Sequence, residues 1–186
     1  MADLSLLRTF DWRFCCPQAI VIAMTDWLYS PKKLLILTLL LAVAVIGSAL
    51  GSQYIGGLEP CKLCHWQRNP YYVGIPLILI TLVIFDASIV FRRLLLLAVT
   101  ATFLTGIGLG LYHVGVEQGW WPGPASCSSS ATLGASLDEQ INNLMNTARV
   151  DCRKPAFVLF GISMAGYNAL LSLVLAALSF RAWSKR

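Results

Sequence analysis

Charged side chains are scarce in this chain. Asp, Glu, Lys and Arg make up 12% of it, against 57% hydrophobic residues, and the mean hydropathy is +0.69. A soluble domain of this size carries about twice that share of charge. The deficit is uneven, because the apolar residues fall into long runs. One of them, from Leu34 to about Tyr54, holds no charge at all. Runs of this kind say bilayer rather than a large buried core. A basic stripe is also missing. The formal net charge is +5, yet Lys and Arg bracket the apolar segments instead of lining a face, which excludes a nucleic-acid footprint. No cysteine lies inside an apolar run.

The runs cover residues 34–54, 71–91, 94–116 and 156–180. Each reaches or approaches the roughly 20 residues that a helix needs to cross hydrocarbon, and helices are what a lipid environment permits. The expected fold is therefore all-α: an integral membrane four-helix bundle forming one domain over residues 34–180. Residues 1–33 form a cytoplasmic segment and residues 181–186 a cytoplasmic tail. Asp86 interrupts the second run and is placed at the inner interface beside Arg92 and Arg93, the span ending near Phe85. The positive-inside rule counts basic residues. Arg8, Arg13, Lys32, Lys33, Arg92, Arg93, Arg181, Lys185 and Arg186 outnumber Lys62, Arg68, Arg149, Arg153 and Lys154, so both termini are cytoplasmic. The first run is too long and begins too late for a cleaved signal, and is read as a retained helix. Met24 just ahead of it offers a second start for translation, which would remove the cytoplasmic pair Cys15-Cys16.

Two loops carry the remaining cysteines. Loop one, about 55–69, is short; loop three, about 117–155, is long enough to expect function. Loop three opens with Trp120-Trp121-Pro122, suited to the membrane interface, and turns Ser-rich around Cys127. Ser136 and Glu139 have capping-box spacing, and Leu137, Ile141, Leu144 and Met145 share a face, which reads as a short amphipathic surface helix. In the third run, Gly106 and Gly110 form a GxxxG suited to packing within the bundle. Pro76 suggests a kink in the second.

Of six cysteines, Cys61, Cys64, Cys127 and Cys152 fall outside the membrane, in an oxidising compartment. Two pairs on two loops suggest two disulfides. A structural role explains Cys127 with Cys152, which closes a loop. It explains Cys61 with Cys64 less well, because a bridge across two residues crosslinks almost no chain; such a motif is more often redox-active or metal-binding. Arg68 follows Cys64 by four residues, one helical turn. A fixed cation there favours the thiolate and can stabilise a reduced quinone. Either the second helix has begun by Cys64, or Asn69 caps it with Pro70 in its first turn. His113, at the outer end of the third run, faces either a cofactor or the water interface. Cys61-x-x-Cys64-His65 also fits a c-type haem attachment with His65 as axial ligand, which leaves Cys127 and Cys152 without a role. A zinc site of the four cysteines ranks last, for Cys127 and Cys152 lie too far apart in sequence to form a second knuckle. A structural membrane protein with two disulfides is the plainest alternative.

These residues resemble the DsbB family of disulfide-bond-formation proteins. The matching features are Pro60-Cys61-x-x-Cys64 followed by Gln67-Arg68, the pair Cys127 and Cys152 in loop three, and the four-span order, over about residues 34–180. The segment before Lys32 is longer than the family needs, and Cys15-Cys16 has no counterpart there. The resemblance implies a quinone-dependent thiol oxidase of the bacterial inner membrane with its cysteine loops in the periplasm. Its implied partner is a periplasmic thioredoxin-fold dithiol protein of the DsbA type, and its cofactor is ubiquinone or menaquinone. The implied catalytic residues are Cys61, Cys64, Cys127 and Cys152, with Arg68 and His113 at the quinone. The donor would attack the Cys127–Cys152 disulfide at Cys127, Cys152 would attack Cys61, and Cys64 would leave as a thiolate beside Arg68.

Overall fold

Side chains cap the starts of two of the helices in this chain, Cys61 at one and Ser163 at the other. The computed structural model describes residues 30–86, 88–124, 127 and 151–185. The pair Cys15-Cys16, Met24 and the expected surface helix lie outside the described residues. Among those described there are four long helices: α1 (Pro31–Tyr54), α2 (Lys62–Val83), α3 (Ile89–Glu117) and α4 (Met164–Ser184), with a small antiparallel hairpin of β1 (Val158–Leu159) and β2 (Ile162–Ser163) ahead of α4. Each helix packs on its neighbours in the ring α1–α2–α3–α4, and the α3–α4 interface is the most extensive.

Three of the helices, α1, α3 and α4, are long and apolar enough to cross a membrane. Helix α2 has 22 residues, about 33 Å of length, but its first two turns carry Lys62, His65, Gln67 and Arg68. It starts at Lys62 because Cys61 caps it: the Cys61 sulfur accepts the backbone N–H of Cys64 at 3.3 Å. Asn69 and Pro70 therefore lie inside the helix, and the alternative start at Asn69 is corrected.

The apolar run 71–91 is not one helix. Helix α2 stops at Val83, and Ile84–Asp86 turn before Ser88 caps α3. Hydropathy joined the two helices because the turn itself contains Ile84 and Phe85. Asp86 lies in that turn with its side chain 85% exposed, 3.6 Å from Lys32. Arg92 stacks over the Phe85 ring at 4.7 Å. The run 156–180 is split as well. Phe160 and Gly161 take positive φ, at 49° and 79°, and turn the chain into the hairpin. Ser163 then caps α4 by accepting the Gly166 N–H at 3.3 Å.

Inside the bundle the side chains are small or satisfied within their own helix. Thr38, Thr81, Thr100 and Ser179 are buried and donate to the carbonyls of Leu34, Leu77, Leu96 and Leu175. Gly106 and Gly110 face α4. A Cβ at Gly106 would stand 2.8 Å from Ser172 Oγ, and one at Gly110 would stand 2.8 Å from Ala169 Cβ. The GxxxG thus serves close approach of α3 to α4 within the chain. Leu34, Leu35, Tyr71, Ile78, Phe103 and Leu175 are among the core residues beneath. Outward, Leu40, Leu104, Leu111 and Leu173 are all more than half exposed. Helices apolar on both faces need an apolar surround.

Candidate active site

The N-terminus of α2, the outer end of α3 and the loop-three cysteines meet at the end of the bundle away from Asp86. Cys127 and Cys152 form a disulfide spanning 25 residues, while Cys61 and Cys64 are free thiols with their sulfurs 2.8 Å apart. Two disulfides were expected from the sequence; among the described residues there are one disulfide and one dithiol. Cys61, Leu63, Val116, Cys127 and Cys152 make a single buried cluster, with Cys64 and Tyr112 packed against it. The two cysteine pairs of two separate loops thus share one environment.

His113 is buried beside them. Its Nε2 lies 3.7 Å from the Cys61 sulfur and 3.7 Å from Glu117 Oε1, and its Nδ1 lies 3.1 Å from the Gln67 side-chain nitrogen. One ring nitrogen is therefore held by α2, and the other is turned toward a thiol and a carboxylate. The Cys61 thiol is held well below its ordinary value of 9.0. The hydrogen-bonded Cys64 side chain is the largest cause, burial opposes it, and His113 and the Cys64 backbone N–H add to the lowering. Of the free pair, Cys61 is the thiol whose surroundings favour the thiolate, the form that acts as nucleophile.

A cavity of about 250 Å³ opens under this group, lined by Cys61, Cys64, Arg68 and His113 and walled by apolar residues such as Val45 and Leu171. This is just below the roughly 300–1,000 Å³ of ordinary small-ligand clefts. Arg68 is buried, and its guanidinium is fixed to α1 by bonds to Gln53 Oε1 at 2.5 Å and the Ala49 carbonyl at 3.2 Å. Deeper in, the Tyr71 hydroxyl donates to Asn168 Oδ1 at 2.8 Å. Asn168 Nδ2 is buried without a partner among the described residues, and Asn168 lines the same cavity. A buried donor left unpaired costs about 1–3 kcal/mol, and a ligand oxygen relieves that cost.

Of the residues singled out from the sequence, Cys61, Cys64, Arg68 and His113 come together at the cavity and Cys127 with Cys152 beside it. His65 is exposed and does not line the cavity, so it stands apart from the grouped sulfurs. Gln67, Tyr71, Glu117 and Asn168 were missed as site residues. Glu117 follows His113 by one helical turn, and Asn168 is a polar residue within an apolar run; both signals were legible. Tyr71 carried none. Trp121 shields the outer edge by stacking on Tyr112 and donating its indole N–H to the Tyr112 carbonyl at 3.0 Å.

A mostly helical membrane protein with a partly buried dithiol beside a second cysteine pair is a thiol–disulfide exchange protein in class. Residues 31–182 match the family model described as disulfide bond formation protein DsbB, and the chain belongs to that family. It is similar to disulfide bond formation protein B of Methylococcus capsulatus, with 29% identity over 163 residues covering 83% of this chain and 94% of the relative. The corresponding protein of Alkalilimnicola ehrlichii is 29% identical over 161 residues, covering 86% and 96%. An uncharacterized protein of Rickettsia prowazekii is 30% identical over 146 residues, covering 77% and 83%. No solved structure matches the chain. The family makes the protein a disulfide-generating oxidoreductase of the membrane.

Proposed function

We propose that this protein re-oxidises a periplasmic thioredoxin-fold dithiol protein of the DsbA type and passes the electrons to a membrane quinone. The observation that carries the reading is the gathering of Cys61, Cys64, Cys127 and Cys152 in one cluster, with Cys61 and Cys64 lining a cavity that Arg68 also lines. Four spans are proposed, with α2 crossing alongside the other three helices. Both termini face the cytoplasm and the cysteines the periplasm, the Lys32–Asp86–Arg92 group marking the cytoplasmic end.

The exchange runs between neighbouring sulfurs. The donor's thiolate attacks Cys127, forming a mixed disulfide and releasing Cys152. Cys152 attacks Cys61 of an oxidised Cys61–Cys64 pair, and Cys64 leaves as a thiolate. The donor's second thiol resolves the mixed disulfide, so the donor loses two electrons and the chain gains them. Each step is an attack by a thiolate on a disulfide sulfur, and the Arg68 charge favours the leaving Cys64 thiolate against the burial that opposes it.

The residues present fit a quinone. Asn168 Nδ2 is a buried donor in search of an acceptor, Arg68 supplies a fixed positive charge, and the walls are apolar. A bound quinone supplies a two-electron, two-proton acceptor. Arg68 and Asn168 would hold its oxygens, and the Arg68 charge favours anions in the water-poor cavity. With the Gln67 amide turned so that its oxygen accepts His113 Nδ1–H, Nε2, between Cys61 and Glu117, is placed to take the thiol proton and share it with the carboxylate.

The test uses purified protein in detergent with reduced thioredoxin-fold donor and ubiquinone or menaquinone, following quinone absorbance. Loss of oxidised quinone that requires the donor, Cys61 and Cys64 is expected. Cys64→Ser should stop it while the Cys127–Cys152 disulfide still forms. Quinone turnover that persists in Cys64→Ser would refute the assignment.

A further inference from the structure

The reduced pair has company that thiol exchange does not require. Cys61 Sγ, Cys64 Sγ and His113 Nε2 all lie within 4.8 Å of one another. Glu117 Oε1 is 3.7 Å from His113 Nε2, and the His113 and Glu117 side chains are only 4% and 5% exposed. We propose that the reduced state is a binding site for a borderline-soft divalent cation, Zn²⁺ above all, ligated by Cys61, Cys64, His113 and Glu117.

Three of the four ligand atoms are already grouped, and the Glu117 carboxylate, 3.7 Å from His113 Nε2, has to turn toward the sulfurs. A tetrahedral zinc with the usual bond lengths has S–N edges of about 3.6 Å and an S–S edge of about 3.8 Å. The Cys61–His113 separation of 3.7 Å fits as it stands. The sulfurs, 2.8 Å apart, must open by about 1 Å, which small rotations about the Cα–Cβ bonds supply. Two further features suit a metal. The Cys64 N–H donates to the Cys61 sulfur at 3.3 Å, steadying a thiolate at the helix start. Gln67 holds His113 Nδ1 at 3.1 Å, the outer-shell contact that orients a ligating imidazole. For that role the Gln67 amide turns its oxygen to accept Nδ1–H. Two thiolates and a carboxylate exceed the charge of Zn²⁺ by one; Arg68 and Lys154 line the same cavity and offset it.

Binding takes both sulfurs as thiolates, giving a zinc dithiolate and releasing to solvent the thiol protons that the reduced pair still holds. Oxidation of the pair to a disulfide removes both anionic sulfurs, so the site exists only in the reduced chain. A bound cation in turn occupies the sulfur that Cys152 would exchange with. The inference does not depend on the electron acceptor.

The test takes the full-length protein in detergent, reduced and freed of reductant without air, and titrates it with Co²⁺ as the probe. Tetrahedral d–d bands and a thiolate-to-cobalt charge-transfer band are expected at one equivalent, both lost on adding Zn²⁺. The oxidised protein and Cys61→Ser should lack them, and Cys127→Ser/Cys152→Ser should keep them. Gln67→Ala retains all four ligands and should weaken binding by roughly 10- to 100-fold; unchanged circular dichroism separates that loss from misfolding. His113→Ala should shift the d–d bands. The same bands in Cys61→Ser, the weak bands of six-coordinate cobalt in the reduced protein, or a spectrum and affinity untouched by His113→Ala would each overturn the site. Any of these would leave the quinone assay standing.

Discussion

Gly108 and Gly110 lie within one turn of α3 and face different surroundings. A Cβ at Gly108 would meet nothing within 4 Å, whereas one at Gly110 would stand 2.8 Å from Ala169 Cβ and 3.0 Å from the Ala169 backbone. Non-bonded carbons settle at about 3.5–4.0 Å, so Gly110→Ala must push α3 away from α4 by about 1 Å. Overpacking of this kind costs about 1–3 kcal/mol. An interior Gly→Ala change by itself gains roughly 0.5–1 kcal/mol of helix stability, and Gly108→Ala has only that gain. The two variants should differ by about 1–3 kcal/mol, a gap of roughly 3–10 °C in melting temperature at this chain length. Thermal unfolding in one detergent, followed by far-ultraviolet circular dichroism, measures it. His113 lies one turn beyond Gly110 on α3, so Gly110→Ala should also lower turnover while Gly108→Ala leaves it unchanged. If both variants gain stability equally, the close α3–α4 approach is not what Gly110 provides.

Arg68→Lys keeps the charge but cannot span both Gln53 Oε1 and the Ala49 carbonyl with one nitrogen. Losing one charge-assisted bond, about 1.5–3 kcal/mol, should raise the apparent KM for quinone by roughly tenfold or more, with kcat changed less; an unchanged KM would make Arg68 a tie between helices only. In the reduced protein the Cys61 thiol titrates below its ordinary 9.0. Its alkylation rate should therefore stay level as pH falls from 9 through neutrality, where that of the unfolded chain drops with its thiolate fraction. His113→Ala should move the fall to higher pH, and a folded profile that tracks the unfolded one would contradict the assignment. At Gly115 a Cβ would collide with the Trp121 indole, so Gly115→Ala should expel the indole and shift tryptophan emission to the red; an unmoved spectrum would argue against this packing.

Much of this protein was legible before any fold was known, because a membrane leaves few choices. Long apolar runs must become helices, and α1 ends at Tyr54 as its run did. The scarcity of charge, the bracketing basic residues and the four outlying cysteines, with Arg68 one turn from Cys64, needed no tertiary information. Hydropathy failed where apolar residues are used for something other than spanning. Ile84 and Phe85 turn the chain, and Phe157 to Phe160 build a hairpin whose sharp bend rests on backbone torsions that side-chain polarity does not encode. Tertiary structure alone decided convergence. Gln67 and Tyr71 from α2, His113 and Glu117 from α3, and Asn168 from α4 are far apart in sequence, and no local period brings them to one cavity. They meet because Gly106 and Gly110 let α3 close on α4, and because Arg68 is held against α1. The sequence determined which chemistry the chain carries and at which end of the helices it lies; packing decided which nitrogen faces the Cys61 sulfur and which donor is left for a ligand.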